Sequence, residues 1–292
     1  MIEKYLKEFS CTSGKEVVYC TGSSARNLST GTAVDEFAVN HAEADTAIFT
    51  IYYQIRENGC ERTVLIDAED TDIYVQAGYV SHEVNGTLLI KKKNSYIDCQ
   101  TLLSSEMAEV IIQLHVMTGC DHNCGFYGRG KRAIIEKVMK VPDARSLLHG
   151  CGDMLPIPST VLNNLKKFVI KYIYGSNEMS CAETRAKQWK KMKKKNTQRL
   201  MPDEDTLSHI CVRANYLSYC QKNYQLSRHP SPIGNGWGII GGKCRPVRNR
   251  LPALPVDLTC DRLLPADDSK SSSESDCSES ESSNSTDTES ED

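Results

Sequence analysis

Three groups of acidic residues in the first half of the chain each lie beside a short apolar stretch. The groups are Glu43 with Asp45, Asp70 with Asp72, and Asp121. The first group opens a segment with helical spacing, the second follows a strand-like run, and the third lies beside glycine. Carboxylates at the ends of hydrophobic elements are ligands for hard cations such as Mg²⁺ or Mn²⁺. The pattern therefore predicts a fold in which element ends form a divalent-cation site beside a phosphodiester.

The spacing of apolar residues around these groups alternates between the helical and the extended period. It predicts a helix within 35–57, a strand at 63–66, further strands at 73–80 and 87–92, and a helix at 105–117. This alternation is typical of an α/β layer architecture, with a central, mostly parallel sheet. Sites in such sheets form beyond the carboxyl ends of the strands, where Asp70 and Asp72 would lie.

The second half of the chain is predicted to be helical before it becomes irregular. Helices are expected at 131–141, 159–174, 178–195 and 206–221, and a Pro- and Gly-rich irregular segment follows from 229 to 255. Four regions result: an α/β domain at 1–140, a helical extension at 141–228, an irregular segment at 229–265, and a disordered Ser-rich acidic tail at 266–292.

Charge and cysteine content limit the classes of protein to which the chain can belong. The tail at 266–292 carries a net charge of −9, so the remaining residues carry +6 within the overall −3. A mildly basic body is compatible with nucleic-acid binding. No apolar run approaches the roughly 20 residues that span a bilayer, and no signal peptide is seen, so no membrane association is expected. The 13 cysteines then indicate reduced thiols and an intracellular protein.

Each acidic group also has an interpretation without a metal. Asp70 and Asp72 would point to one face of an extended strand, but Glu-Asp-Thr-Asp is also ordinary turn chemistry. Glu43 and Asp45 would diverge by roughly 200° on a regular helix, and acids favour first helical turns through the macrodipole. Asp121 can serve as a helix cap. The order of the three groups carries more information than any one of them.

That order resembles the flap endonuclease/XPG class of 5′ nucleases, within the wider PIN-like fold, over roughly residues 35–140. The motifs that carry the resemblance are Glu43-Ala-Asp, Glu69-Asp-Thr-Asp and Gly119-Cys-Asp, followed by Gly128-Arg-Gly-Lys. The resemblance implies a PIN-like core and phosphodiester hydrolysis. It implies Glu43, Asp45, Asp70, Asp72 and Asp121 as ligands of Mg²⁺ or Mn²⁺.

The glycine-rich turn at 128–131 is the second element that the resemblance implies. Gly128, Arg129, Gly130 and Lys131 would contact the backbone of a nucleic acid, since N–H groups at a helix start and a lysine suit phosphate. A tight turn that needs positive φ explains the glycines equally well.

The chain departs from the nuclease class at its N-terminus. Those nucleases place further aspartates on strands before the Glu-Ala-Glu helix, whereas the roughly forty residues here contain no such strand. Cys124 also stands where some members have an acidic residue. The α/β core is therefore expected to be N-terminally incomplete, as in a fragment or a decayed copy of a fuller protein.

A closer resemblance is to a group of animal proteins that look derived from mobile elements. It includes the motifs above together with Arg213-Ala-Asn-Tyr and Pro232-Ile-Gly-Asn-Gly-Trp. Several members end in a cysteine-rich module, and Cys260 followed by an acidic tail indicates loss of this module here. This group implies no activity beyond the nuclease-like fold.

Two further patterns carry weaker hypotheses. The stretch Lys187–Arg199, which includes Lys190, Lys191, Lys193 and Lys194, predicts phosphate contacts or a nuclear-import signal, or else a solvated helix face. Cys120, His122 and Cys124 could form half of a zinc site, but no second pair follows.

Two functions remain open from the sequence. The first is a Mg²⁺- or Mn²⁺-dependent nuclease that acts on nucleic acid, with DNA favoured and the nucleus favoured over the cytoplasm. The alternative is a catalytically inactive protein, derived from a mobile element, that binds nucleic acid or another protein.

Overall fold

The computed structural model describes residues 2–41, 43–191 and 197–248, which form a mixed α/β protein. The helices are α1 Ile2–Ser13, α2 Ala44–Glu57, α3 Thr71–Glu83, α4 Ser105–Thr118, α5 Lys131–Lys140, α6 Pro142–Ser146, α7 Ser159–Phe168, α8 Cys181–Lys191 and α9 Glu204–Lys222. The strands are β1 Val18–Thr21, β2 Ser24–Asn27, β3 Val64–Ile66, β4 Leu88–Lys92, β5 Ser95–Asp98, β6 Trp237–Ile240 and β7 Lys243–Pro246. The predicted acidic tail lies outside the described residues.

The sheet nearest the acidic residues has three strands in the order β3-β4-β5. Strand β3 pairs with β4 in parallel, with Val64 opposite Leu88, and β4 pairs with β5 antiparallel. The prediction of an α/β class is thus confirmed at this level. The sheet is small and mixed rather than mostly parallel, and a PIN-like core remains a prediction.

The predicted strand at 73–80 is wrong, because this segment is helix α3. Its Ile, Tyr and Val residues have high β propensity, which misled the prediction. Three positions spaced by four and three residues, Ile73, Ala77 and Val80, are buried and form one helical face. The side chain of Asp70 caps the helix, so capping and packing override the local preference.

Two further elements differ from the sequence prediction. The segment predicted to be irregular contains the hairpin β6–β7, whose turn residues Gly241 and Gly242 both have positive φ. The N-terminal segment is polar in sequence over 1–32, with one β-like run at 16–20, but it begins with helix α1 and continues with the hairpin β1–β2.

The described residues contain two hydrophobic cores. The larger one joins α4, α5, α7 and α9, and includes Ile112, Leu114, Phe168 and Leu207. The boundary predicted at residue 140 falls within it. The smaller one joins α2, α3, β3 and β4 around Phe49 and Tyr52. Among the described residues, no helix has both the length and the apolarity needed to cross a membrane.

Candidate metal centre

Helix α2 begins with the first acidic group. Glu43 is its N-cap residue and has extended backbone geometry, with φ −129° and ψ 149°. Asp45 lies in the first helical turn. The divergence expected between these side chains on a regular helix does not apply, because Glu43 stands outside the helical geometry. The positive end of the helix dipole also favours both carboxylates here.

Helix α3 begins in the same way with the second acidic group. Asp70 is the N-cap, and its Oδ1 accepts a hydrogen bond from the backbone N–H of Asp72 at 3.0 Å. Asp72 lies in the first turn. The two residues therefore follow strand β3, as predicted, but a helix start rather than an extended strand brings them to one side.

The two helix starts meet. Carboxylate oxygens of Asp45, Asp70 and Asp72 all lie within 4.8 Å of one another. This separation is compatible with a shared cation, because Ca²⁺ and Mg²⁺ bind oxygen at about 2.0–2.6 Å. Among the described residues, no other group of three histidine, cysteine or acidic side chains meets this criterion, and Cys120, His122 and Cys124 do not form one.

The remaining two predicted ligands, Glu43 and Asp121, lie close enough to Asp45 to interact electrostatically with its carboxyl. Burial raises the pKa of the Asp45 carboxyl above its ordinary value, and nearby negative charge raises it further. The carboxylates responsible are Asp70, Glu43, Asp72 and Asp121. All five residues singled out in the sequence therefore surround one region, which we call the acidic cluster: Glu43, Asp45, Asp70, Asp72 and Asp121.

The loop that carries Asp121 is closed tightly on itself. Gly119 has φ of 115°, and a Cβ atom there would come within 2.9 Å of the Cα of Gly125. Backbone hydrogen bonds join Cys120 and Asn123 in both directions. The loop presents His122, whose Nε2 forms a short contact with Oε1 of Glu43. Glu43 thus has a partner of its own and lies outside the group of three.

A cavity of about 260 Å³ adjoins the acidic cluster. Its lining combines polar residues, among them Glu43, Asp72, Asp121, His122 and Arg228, with the less polar Tyr216, Leu217, Pro230 and Pro232. A second cavity, of about 640 Å³, is also lined by residues 120–124 of the Asp121 loop and reaches Arg213 and Arg248. The candidate metal centre therefore has space beside it for a ligand with polar and apolar parts.

Next to the acidic cluster, the buried side chains of His115 and Lys131 form a contact that the sequence did not indicate. His115 lies on α4 with 1% of its surface exposed. Its Nε2 is 3.0 Å from Oδ1 of Asp72, and its Nδ1 is 2.8 Å from Nζ of Lys131. A histidine within an otherwise apolar helix, four residues before Gly119, was the one available signal.

The residues of the predicted phosphate-binding turn at 128–131 point in different directions. Lys131 donates to the carbonyl of Gly119 at 2.8 Å as well as contacting His115, and burial lowers its pKa. Its ammonium therefore faces the interior. Gly130 is the N-cap of α5, and Gly128 has φ of 70°, which agrees with the tight-turn interpretation. Arg129 instead lies over the ring of Tyr174, at 4.6 Å from its centroid.

Arg129 belongs to what we call the basic cavity, a space of about 310 Å³. Its lining includes Arg129, Lys191 and Arg199, together with Tyr127, Gly128, Tyr174 and Gln188. Lys190 and Lys191 are exposed on α8, and Trp189 is 42% exposed. Lys193 and Lys194 lie outside the described residues.

Comparisons with protein-family models, with curated proteins and with solved structures gave no match. The nuclease resemblance consequently rests on the sequence motifs and remains a prediction.

Proposed function

We propose that the chain is a divalent-cation-dependent phosphodiesterase that acts on nucleic acid. Asp45, Asp70 and Asp72 would hold Mg²⁺ or Mn²⁺, with Glu43 and Asp121 at the edge of the centre. The observation that carries the proposal is the approach of three carboxylates to within 4.8 Å of one another at two helix starts. Carboxylate oxygen is the ligand type that these hard cations prefer.

The chemistry follows from the cation and from the residues around it. A bound divalent cation would act as a Lewis acid that promotes ionisation of water and offsets charge on the phosphate. The chain's own contribution is to gather the carboxylates and to provide the adjacent cavity of about 260 Å³ for the substrate. Arg129, Lys191 and Arg199 line the basic cavity, where they would hold the polyanion backbone.

A second function, binding without cleavage, is favoured by one specific observation. Among the described residues only one group of three carboxylates converges, and Glu43 is engaged by His122. Two-metal nucleases hold their ions about 3.5–4 Å apart, which requires more ligands. A centre with one cation could position nucleic acid without cutting it.

Cleavage of branched and single-stranded DNA and RNA, with Mg²⁺ or Mn²⁺ against EDTA, tests the proposal. We expect Asp70→Asn and Asp72→Asn each to lower Mn²⁺ affinity and cleavage by more than about 100-fold, beyond the 10–100-fold typical of residues that only support a ligand. Mn²⁺ affinity is measured by electron paramagnetic resonance.

The matched control is Asp67→Asn, because Asp67 precedes the same helix but pairs with Lys91 at 2.6 Å. This substitution should leave both Mn²⁺ affinity and cleavage unchanged. Cleavage that survives both cluster substitutions would refute the nuclease proposal. Mn²⁺ binding without cleavage of any substrate would favour the second function.

A further inference from the structure

The contact between Asp72, His115 and Lys131 crosses three elements of the fold. Asp72 begins α3, His115 lies in the last turn of α4, and Lys131 begins α5. The two distances are 3.0 Å from Asp72 Oδ1 to His115 Nε2 and 2.8 Å from His115 Nδ1 to Lys131 Nζ. One buried imidazole therefore lies between a candidate metal ligand and an ammonium group.

The ammonium determines which nitrogen of the imidazole carries the proton. Lys131 has donors only, so Nδ1 of His115 must accept its hydrogen bond. The remaining proton of a neutral imidazole then lies on Nε2, facing Asp72. A charged imidazolium would direct an N–H toward the ammonium, which the 2.8 Å distance excludes.

In the described part of the chain, the Nε2 proton has no hydrogen-bond acceptor other than Asp72. The Nε2 atom is buried, and the acceptor it faces is Oδ1 of Asp72 at 3.0 Å, so its N–H group is directed at this carboxylate. A buried donor needs an acceptor, because leaving it unsatisfied costs free energy. Such a group, 99% buried and directed at the acidic cluster, indicates a role toward the carboxylate.

We propose that His115, held in one tautomer by Lys131, is a positioning residue that orients the Asp72 carboxylate toward a bound cation. This inference rests on the proposed function of the acidic cluster. Partners that donate to a ligating carboxylate fix its rotamer, and their loss typically weakens metal binding 10–100-fold. Lys131 thus acts on the cation through His115 rather than on a phosphate.

Substitution of His115 separates positioning from packing. In His115→Phe, both nitrogens are lost, and we expect Mn²⁺ affinity to fall by about 10–100-fold. In His115→Gln, the terminal amide can still donate to Asp72, so affinity should stay within about threefold of the parent. Equal effects of the two substitutions on Mn²⁺ affinity would overturn the proposal.

The matched control is His82→Phe. His82 lies at the other end of α3 and contacts the carbonyl of Leu103 at 3.2 Å. Its substitution should lower thermal stability without changing Mn²⁺ affinity. If it weakens Mn²⁺ binding as much as His115→Phe does, general destabilisation explains both and the proposal is wrong.

Lys131→Met provides an independent test in case His115→Phe does not fold. If Lys131 were only a nearby positive charge, its removal would tighten Mn²⁺ binding by relieving repulsion. If it holds the imidazole in place, its removal leaves Nδ1 of His115 without a donor and lets the ring move away from Asp72, so binding should weaken by about tenfold. Unchanged or tighter binding by the folded variant would overturn the proposal.

The parent protein distinguishes this inference from the proposed function. If Mn²⁺ does not bind to the parent at the acidic cluster, the proposed function fails and the inference falls with it. If Mn²⁺ binds to the parent and depends on Asp70 and Asp72 but not on His115 or Lys131, only the positioning role fails.

Discussion

The acidic cluster and the basic cavity hold charge in opposite ways. Four of the five carboxylates of the cluster stand at two helix starts and Asp121 lies on a loop, and oxygens of three of them lie within 4.8 Å of one another. The cations of the basic cavity are long arginine and lysine side chains spread around a space of about 310 Å³. Short side chains anchored by backbone suit a small ion, whereas long side chains around an open space suit an extended anion. The turn at 128–131 links the two, with Arg129 at the basic cavity and Lys131 behind the cluster.

Neutralising the basic cavity is expected to separate the two regions most strongly, because it should weaken nucleic-acid binding and leave Mn²⁺ binding unchanged. The triple substitution Arg129→Gln, Lys191→Gln and Arg199→Gln should weaken binding of single-stranded nucleic acid by about 30-fold at low salt. The slope of log affinity against log salt concentration should become shallower by about 2. Mn²⁺ affinity should not change, because these residues take no part in the cluster. Fluorescence anisotropy at several salt concentrations measures the nucleic-acid affinity and its salt dependence.

The control for that prediction removes equal charge elsewhere. Lys4, Lys7 and Lys15 are exposed residues of the N-terminal region. If their replacement by glutamine weakens binding equally, only net charge matters and the basic cavity has no special role.

A smaller effect is expected from filling the cavity beside the acidic cluster. Leu217 is one of the apolar residues that line this cavity. Leu217→Trp should reduce cleavage by about tenfold, because a substrate unit loses space that lies beside the cation. Mn²⁺ affinity should be retained. If cleavage is unchanged, the acidic region holds only the ion and substrate lies elsewhere.

The smallest effect concerns the stability of the cluster without metal. Because the folded protein raises the pKa of Asp45, ionisation of Asp45 destabilises the fold as pH rises through that pKa. Asp45→Asn removes this ionisation. In EDTA, the Tm of the variant minus the Tm of the parent should therefore increase between pH 4 and pH 7. The increase should be on the order of 2 °C, because Asp45 is partly exposed.

Excess Mn²⁺ should reverse that difference, because the cation stabilises the parent and not the variant. Thermal unfolding followed by circular dichroism gives the Tm values. A Tm difference that stays flat across this pH range would show that repulsion within the cluster is negligible.

The sequence predicted the members of the acidic cluster better than the elements that bring them together. Helix α2 and strand β4 follow from periodicity, because each has one clear buried face, whereas β3 and α4 follow from their apolar residues, and α4 is buried on all sides from Val110 to Thr118. Helix α3 was missed because Ile73, Tyr74 and Val75 favour strands locally, whereas burial and the Asp70 cap decide the outcome. The hairpin β6–β7 was hidden by its glycines and prolines.

The contacts behind the cluster could not be predicted from the sequence. His115 is 43 residues from Asp72 and 16 residues from Lys131, and such pairings depend on how three helices pack. The motif around Lys131 indicated phosphate binding because a glycine-rich turn followed by lysine often has that role. Sequence spacing does not show whether a lysine points outward or into the protein.

The capping of α3 by Asp70 has a consequence for how the protein responds to chelation. The carboxylate is fixed by a backbone hydrogen bond of 3.0 Å that needs no cation. Zinc fingers, by contrast, unfold when their metal is removed, since the metal organises their ligands. Here the helix starts organise the ligands in advance. The proposed centre would therefore be preorganised, and cation loss and uptake would leave the fold intact.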